Sequence, residues 1–141
     1  MAYDVFISYE TLTGTSYAEN LNNALKKSEK RFNSFLARKN LLGTYKWKQK
    51  IDEALEEAPL FIIIFTSLTN SSDEVKRECT KAIKLEKKIL TCRWHKISLL
   101  ETEKLAKELC DLQQVQFEDK YDLANHAIHE INSLRGENNE I

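Results

Sequence analysis

"LFIIIF", residues 60–65, decides the fold. Six consecutive apolar residues, rich in Ile and Phe and without polar alternation, predict a strand covered on both faces. That is the signature of a central strand in a parallel sheet. Even with its neighbours, "APLFIIIF" is far too short to cross a bilayer. Helical patterns flank it on both sides. "WKQKIDEALEEA" (47–58) precedes it and stops at Pro59, with Trp47, Ile51, Ala54 and Leu55 on one stripe. "DEVKRECTKAI" (73–83) follows it, with Val75, Cys79, Ala82 and Ile83 on one face.

The same alternation extends in both directions. "YDVFISY" (3–9) is a β-rich run. "SYAENLNNALKK" (16–27) is helical, with Ser16 as its predicted N-cap. "RFNSFLA" (31–37) reads as a second strand anchored by Phe32 and Phe35, followed by a loop, "RKNLLGTYK" (38–46). Towards the C-terminus come a strand "KILTC" (88–92), a helix "LETEKLAKELCDL" (100–112), a weak strand "VQF" (115–117) and a helix "YDLANHAIHEINSL" (121–134). Five β-α units predict an α/β fold, a flavodoxin-like five-stranded parallel sheet of order 2-1-3-4-5 with helices on both faces. We expect one domain over 1–135 and a frayed polar tail, "GENNEI", over 136–141.

Composition narrows the function classes. The chain has 141 residues, 42% hydrophobic and 30% charged, which fits an ordinary globular domain. Lys and Arg number 21 against 22 Asp and Glu, so charge gives no argument for nucleic acid or a membrane surface. Three cysteines without CxxC spacing predict neither a disulfide framework nor a zinc site. Buried free thiols and no visible signal peptide lead us to expect a cytoplasmic protein. His126 and His129, three apart on the last helix, have no matching ligand set, so no metal site is predicted. No P-loop occurs, and the ends of the first and third strands lack the acids of a phospho-acceptor receiver. "ETLTGTS" (10–16) has the hydroxyls of a phosphate-cradling loop and keeps flavin-type binding open.

In a sheet of this order, ligands bind beyond the carboxyl ends of the first and third strands. Ser8-Tyr9-Glu10 and Thr66-Ser67 are delivered there. So is the start of the third helix, where Ser71 to Glu74 has capping-box spacing and Asp73 and Glu74 complement the helix dipole. Glu78 has no such explanation. It falls inside the apolar stripe, in the second turn, beyond capping reach. It pairs with a Lys or Arg, or its stem lies along the core edge with the head in water, or it faces a ligand.

These motifs resemble the TIR (Toll/interleukin-1 receptor) domain family. "YDVFISY" is similar to its first box, "NLLGTYKW" (40–47) stands in the place of its BB loop with Gly43 as the loop glycine, and "FIIIFTS" (61–67) resembles its third strand. "DEVKRECTKAI" looks like the segment that carries the catalytic glutamate in NAD-cleaving members. The resemblance implies an NAD+ nucleosidase of bacterial or archaeal type, with NAD+ as substrate and no cofactor. Glu78 would be the catalytic carboxylate, with Tyr9, Glu10, Thr11, Gly43, Tyr45 and Ser67 at the substrate. It also implies self-association, or contact with other TIR domains, through Leu41, Leu42, Gly43, Thr44 and Tyr45. Products would be ADP-ribose or a cyclic isomer, in immune-type signalling. Four positions depart from the pattern. Glu74 stands where many active relatives have Trp, Glu10 and Thr11 stand where arginines are frequent, and Leu42 stands where signalling receptors have proline. The alternative is a non-catalytic module working by TIR–TIR contacts.

Overall fold

The computed structural model describes residues 2–37, 45–111 and 114–138. Five strands form one parallel sheet of order β2-β1-β3-β4-β5, as the sequence predicts. They are β1 (Val5–Tyr9), β2 (Ser34–Leu36), β3 (Leu60–Phe65), β4 (Lys88–Trp94) and β5 (Gln114–Phe117). The helices are α1 (Thr11–Lys27), α2 (Tyr45–Glu57), α3 (Asp73–Lys84), α4 (Leu99–Leu105) and α5 (Lys120–Asn138). All six residues of β3 are buried, which is what its unbroken apolar run requires.

The two-residue period of the strands divides the core into two layers. Val5, Ile7, Tyr9, Ile62, Ile64 and Cys92 face α1 and α5. Phe6, Phe61, Ile63 and Phe65 face α2 and α3, where they meet Ile51, Leu55, Val75 and Cys79. Gly14 lets α1 approach this sheet closely. A Cβ there would stand 3.2 Å from Cβ of Tyr9.

Several boundaries differ from the sequence expectation, each for a local reason. α1 starts at Thr11, not after Ser16, because Glu10 caps it with its own carboxylate. "ETLTGTS" is therefore helix start rather than a phosphate-cradling loop. α3 is capped by Ser72, whose hydroxyl accepts from the Val75 N–H at 3.2 Å, so the cap falls one residue after Ser71 and, with Val75 at N3, the predicted capping box does not form. The expected long fourth helix divides. Ala106 takes extended backbone after Leu105, and the chain resumes as a 3₁₀ turn over Lys107–Asp111. β4 continues two residues past Cys92, to Trp94. α5 runs on to Asn138, so residues 136–138 are helical rather than tail.

Candidate functional site

The site lies at the carboxyl end of β1 and β3, where the strand order reverses. Four carboxylates stand near this end, Glu10, Asp73, Glu74 and Glu78, in different surroundings. Glu10 follows β1 directly. Its oxygens accept from the Leu12 N–H at 2.8 Å, the Thr13 N–H at 2.7 Å and the Thr13 hydroxyl at 2.7 Å. Burial alone would raise its pKa. The Thr13 hydroxyl and the two N–H groups outweigh burial and hold it below the usual carboxylate range.

Because the Thr13 hydroxyl donates to Glu10, its oxygen is left to accept from the Thr66 hydroxyl, 2.6 Å away. Thr66 in turn meets Thr69, whose hydroxyl also accepts from the Thr66 N–H at 2.8 Å. This chain ties the start of α1 to the loop that leads into α3.

Glu74 sits on the exposed first turn of α3. With Glu10, Thr11, Leu12, Leu68 and Asp73 it lines a cleft of about 320 Å³. One helical turn further on, along the same side of α3, Glu78 is buried against the sheet. It is 2% exposed, and its Oε1 accepts a hydrogen bond of 2.7 Å from the Ser8 hydroxyl on β1. The polar position in the apolar stripe is thus a contact between helix and sheet across 70 residues of chain. The sequence places Ser8 at this end of the sheet but assigns it no role at the substrate. The signal was present in the alternation of β1. Phe6 and Ser8 share the face towards α3, and Ser8 is the polar one.

The other predicted residues are distributed unevenly. Thr11 joins Glu10 on the cleft wall. Tyr9 does not point towards Glu78. Its ring lies in the opposite core layer under α1 and is 1% exposed, because odd-numbered positions of β1 face that side. Ser67 is exposed in the turn after β3. Leu41, Leu42, Gly43 and Thr44 lie outside the described residues, as does the Tyr45 side chain, although the Tyr45 backbone opens α2. Trp47 stacks on Phe35 with centroids 5.7 Å apart and is core packing. His126 is engaged by Asp122 at 3.1 Å and by the Gln116 carbonyl at 3.1 Å. Among the described residues no group of three or more His, Cys, Asp or Glu is gathered as for a metal ion. No described helix is long and apolar enough to cross a membrane.

A five-stranded parallel sheet of this order with helices on both faces defines the doubly wound, flavodoxin-like class of α/β domains. The TIR domain family profile matches residues 5–131, nearly the whole chain, and the chain belongs to that family. No curated protein matches it significantly. Among solved structures it is similar to the TIR domains in the structure of the activated Roq1 resistosome directly recognizing the pathogen effector XopQ. The TM-score is 0.74 at 14% identity, over 92% of this chain and 99% of that one, a likeness of fold.

Proposed function

We propose that this TIR domain cleaves the nicotinamide–ribose bond of NAD+, with Glu78 as the essential carboxylate. The observation that carries the proposal is the placement of Glu78. It is buried, turned towards the carboxyl end of β1, and held there by the Ser8 hydroxyl. Breaking the bond between ribose C1′ and the ring nitrogen returns the bonding pair to nicotinamide, which leaves neutral and needs no general acid. Positive charge develops on the ribose, in an oxocarbenium-like transition state. A carboxylate in a low-dielectric site stabilises that charge far better than water does. Water then bonds to C1′ and releases a proton, giving ADP-ribose. Capture by another atom of the same molecule gives a cyclic isomer. Membership of the TIR family supports an immune-type signalling setting, and the resistosome likeness supports activity in an assembled state.

The test is nicotinamide release from NAD+ by concentrated protein, beside Glu78→Gln. We expect release by the wild-type chain that rises more than linearly with protein concentration. Glu78→Gln should lower it by about 10²–10³-fold, as losing one charge-stabilising group does elsewhere. A folded Glu78→Gln variant that releases nicotinamide at the wild-type rate would sink the proposal.

A second reading is favoured by the cleft itself. Glu10, Asp73 and Glu74 line it and oppose the anionic diphosphate of a dinucleotide. On that reading the domain works only through TIR–TIR contacts. The exposed Leu12 and Leu68 on the same cleft would then belong to a protein surface. Protein that assembles with a TIR partner while leaving NAD+ intact would establish it.

A further inference from the structure

We infer that Ser8 is the positioning residue for Glu78, and that its hydroxyl rather than its bulk is what the reaction uses. The inference rests on the nucleosidase reading. Ser8 is the fourth residue of a strand whose other members are Val, Phe, Ile and Tyr, and it is fully buried. In register it pairs with Ile63 on β3, in the middle of the sheet. A hydroxyl in such a place is unfavourable unless it is bonded, and Ala would pack there without that demand. The bond it makes is to Glu78 Oε1 at 2.7 Å, within the short range of hydroxyl-to-carboxylate bonds.

The geometry makes this a device for aim. The backbone of β1 is fixed by pairing on both sides, with β2 and with β3. Glu78 stands on α3, a separate element, with flexible torsions between its Cα and its carboxylate. The Ser8 hydroxyl, fixed on the rigid strand, restrains the direction of the Glu78 carboxylate. A stabilising charge must sit within a fraction of an ångström of the developing cation, and misplacement by about 1 Å costs on the order of 10²-fold in rate. Ser8 acts on the turnover step through Glu78 and does not itself touch the substrate.

Three variants test this. Nicotinamide release is measured for wild type, Ser8→Ala, Ser8→Thr and Glu78→Gln, with thermal unfolding recorded for each. Ser8→Ala removes one oxygen from a strand and is expected to fold. We expect its kcat to fall by about 10- to 100-fold with KM within about 3-fold, because the aim of the charge changes and substrate contacts do not. Ser8→Thr keeps the hydroxyl and should recover at least half of that loss on a logarithmic scale. An unchanged kcat in folded Ser8→Ala, while Glu78→Gln is inactive, overturns the positioning role and leaves the nucleosidase reading standing. So does a loss that falls on KM alone. Ser8→Thr no better than Ser8→Ala shows that bulk, not the hydroxyl, matters, and also overturns it. A wild-type chain inert towards NAD+ at every concentration tested overturns the nucleosidase reading and this inference together.

Discussion

Glu10 and Glu78 are both buried at the carboxyl end of β1, yet different partners hold them. Glu78 was legible in the sequence because an acid inside an apolar helical stripe has no local explanation. Glu10 was legible only in position. Its neighbours suggested a substrate contact, whereas the structure spends both of its oxygens on the first turn of α1. Glu is not among the favoured N-cap types, which is why Ser16 looked the better cap. Replacing Glu10 by Gln should therefore cost about 1 kcal/mol of stability at neutral pH, as loss of a cap does. The sign of its pH dependence follows from the lowered pKa in the folded state. The stabilisation is present above the unfolded carboxylate value, about 4.3, and is lost as pH falls through the lower folded value. Chemical unfolding at several pH values should show the gap between wild type and Glu10→Gln wide at pH 7 and narrowing as pH falls below the unfolded carboxylate value. A gap that stays constant through the whole acid titration would mean that the ionised carboxylate is not what caps α1.

At the scale of elements, existence was easier to read than ends. The unbroken apolar run of β3 and the stripes of α2 and α3 specified their layers, because burial on one or two faces leaves a period in the sequence. Boundaries depend on single backbone conformations that leave no period, such as the extended Ala106 that cuts α4 short. The end of α3 is another case. Glu86 has φ of 57°, its N–H bonds the Ile83 carbonyl at 3.0 Å, and the Lys87 N–H bonds the Ala82 carbonyl at 3.0 Å. That is the Schellman pattern with Glu where glycine is usual, so nothing in the residue types announced it. The left-handed conformation burdens any residue with a Cβ, and glycine escapes that while losing more chain entropy on folding. Glu86→Gly should therefore stabilise the domain by about 0.5–1 kcal/mol net, seen as a rise of a few degrees in Tm. A lower Tm would mean that the Glu86 side chain contributes more than its backbone conformation loses.

Across the molecule, the sheet separates two core layers, and among the described residues each contains one buried thiol. Cys79 on α3 lies among Phe61, Ile63 and Val75, and Cys92 on β4 lies with the layer under α1 and α5. Burial pushes the Cys79 thiol up to about 12, with the nearby charges of Glu108 and Glu78 adding to the rise. Burial alone pushes Cys92 well above the ordinary thiol range. Thiolate is the reactive form, so at pH 8 neither can be modified until its layer opens. The two layers share every strand of one sheet. If α3 comes away only when that sheet does, both thiols report the same opening event. With Cys110 replaced by Ser, a thiol reagent in native buffer should then label Cys79 and Cys92 at one slow rate, accelerated equally by mild denaturant. Faster labelling of Cys79 would reveal a different molecule, in which α3 lifts from the sheet by itself. In that case the Ser8–Glu78 contact would break and re-form within the folded state, and the glutamate would be exposed to solvent each time α3 opened.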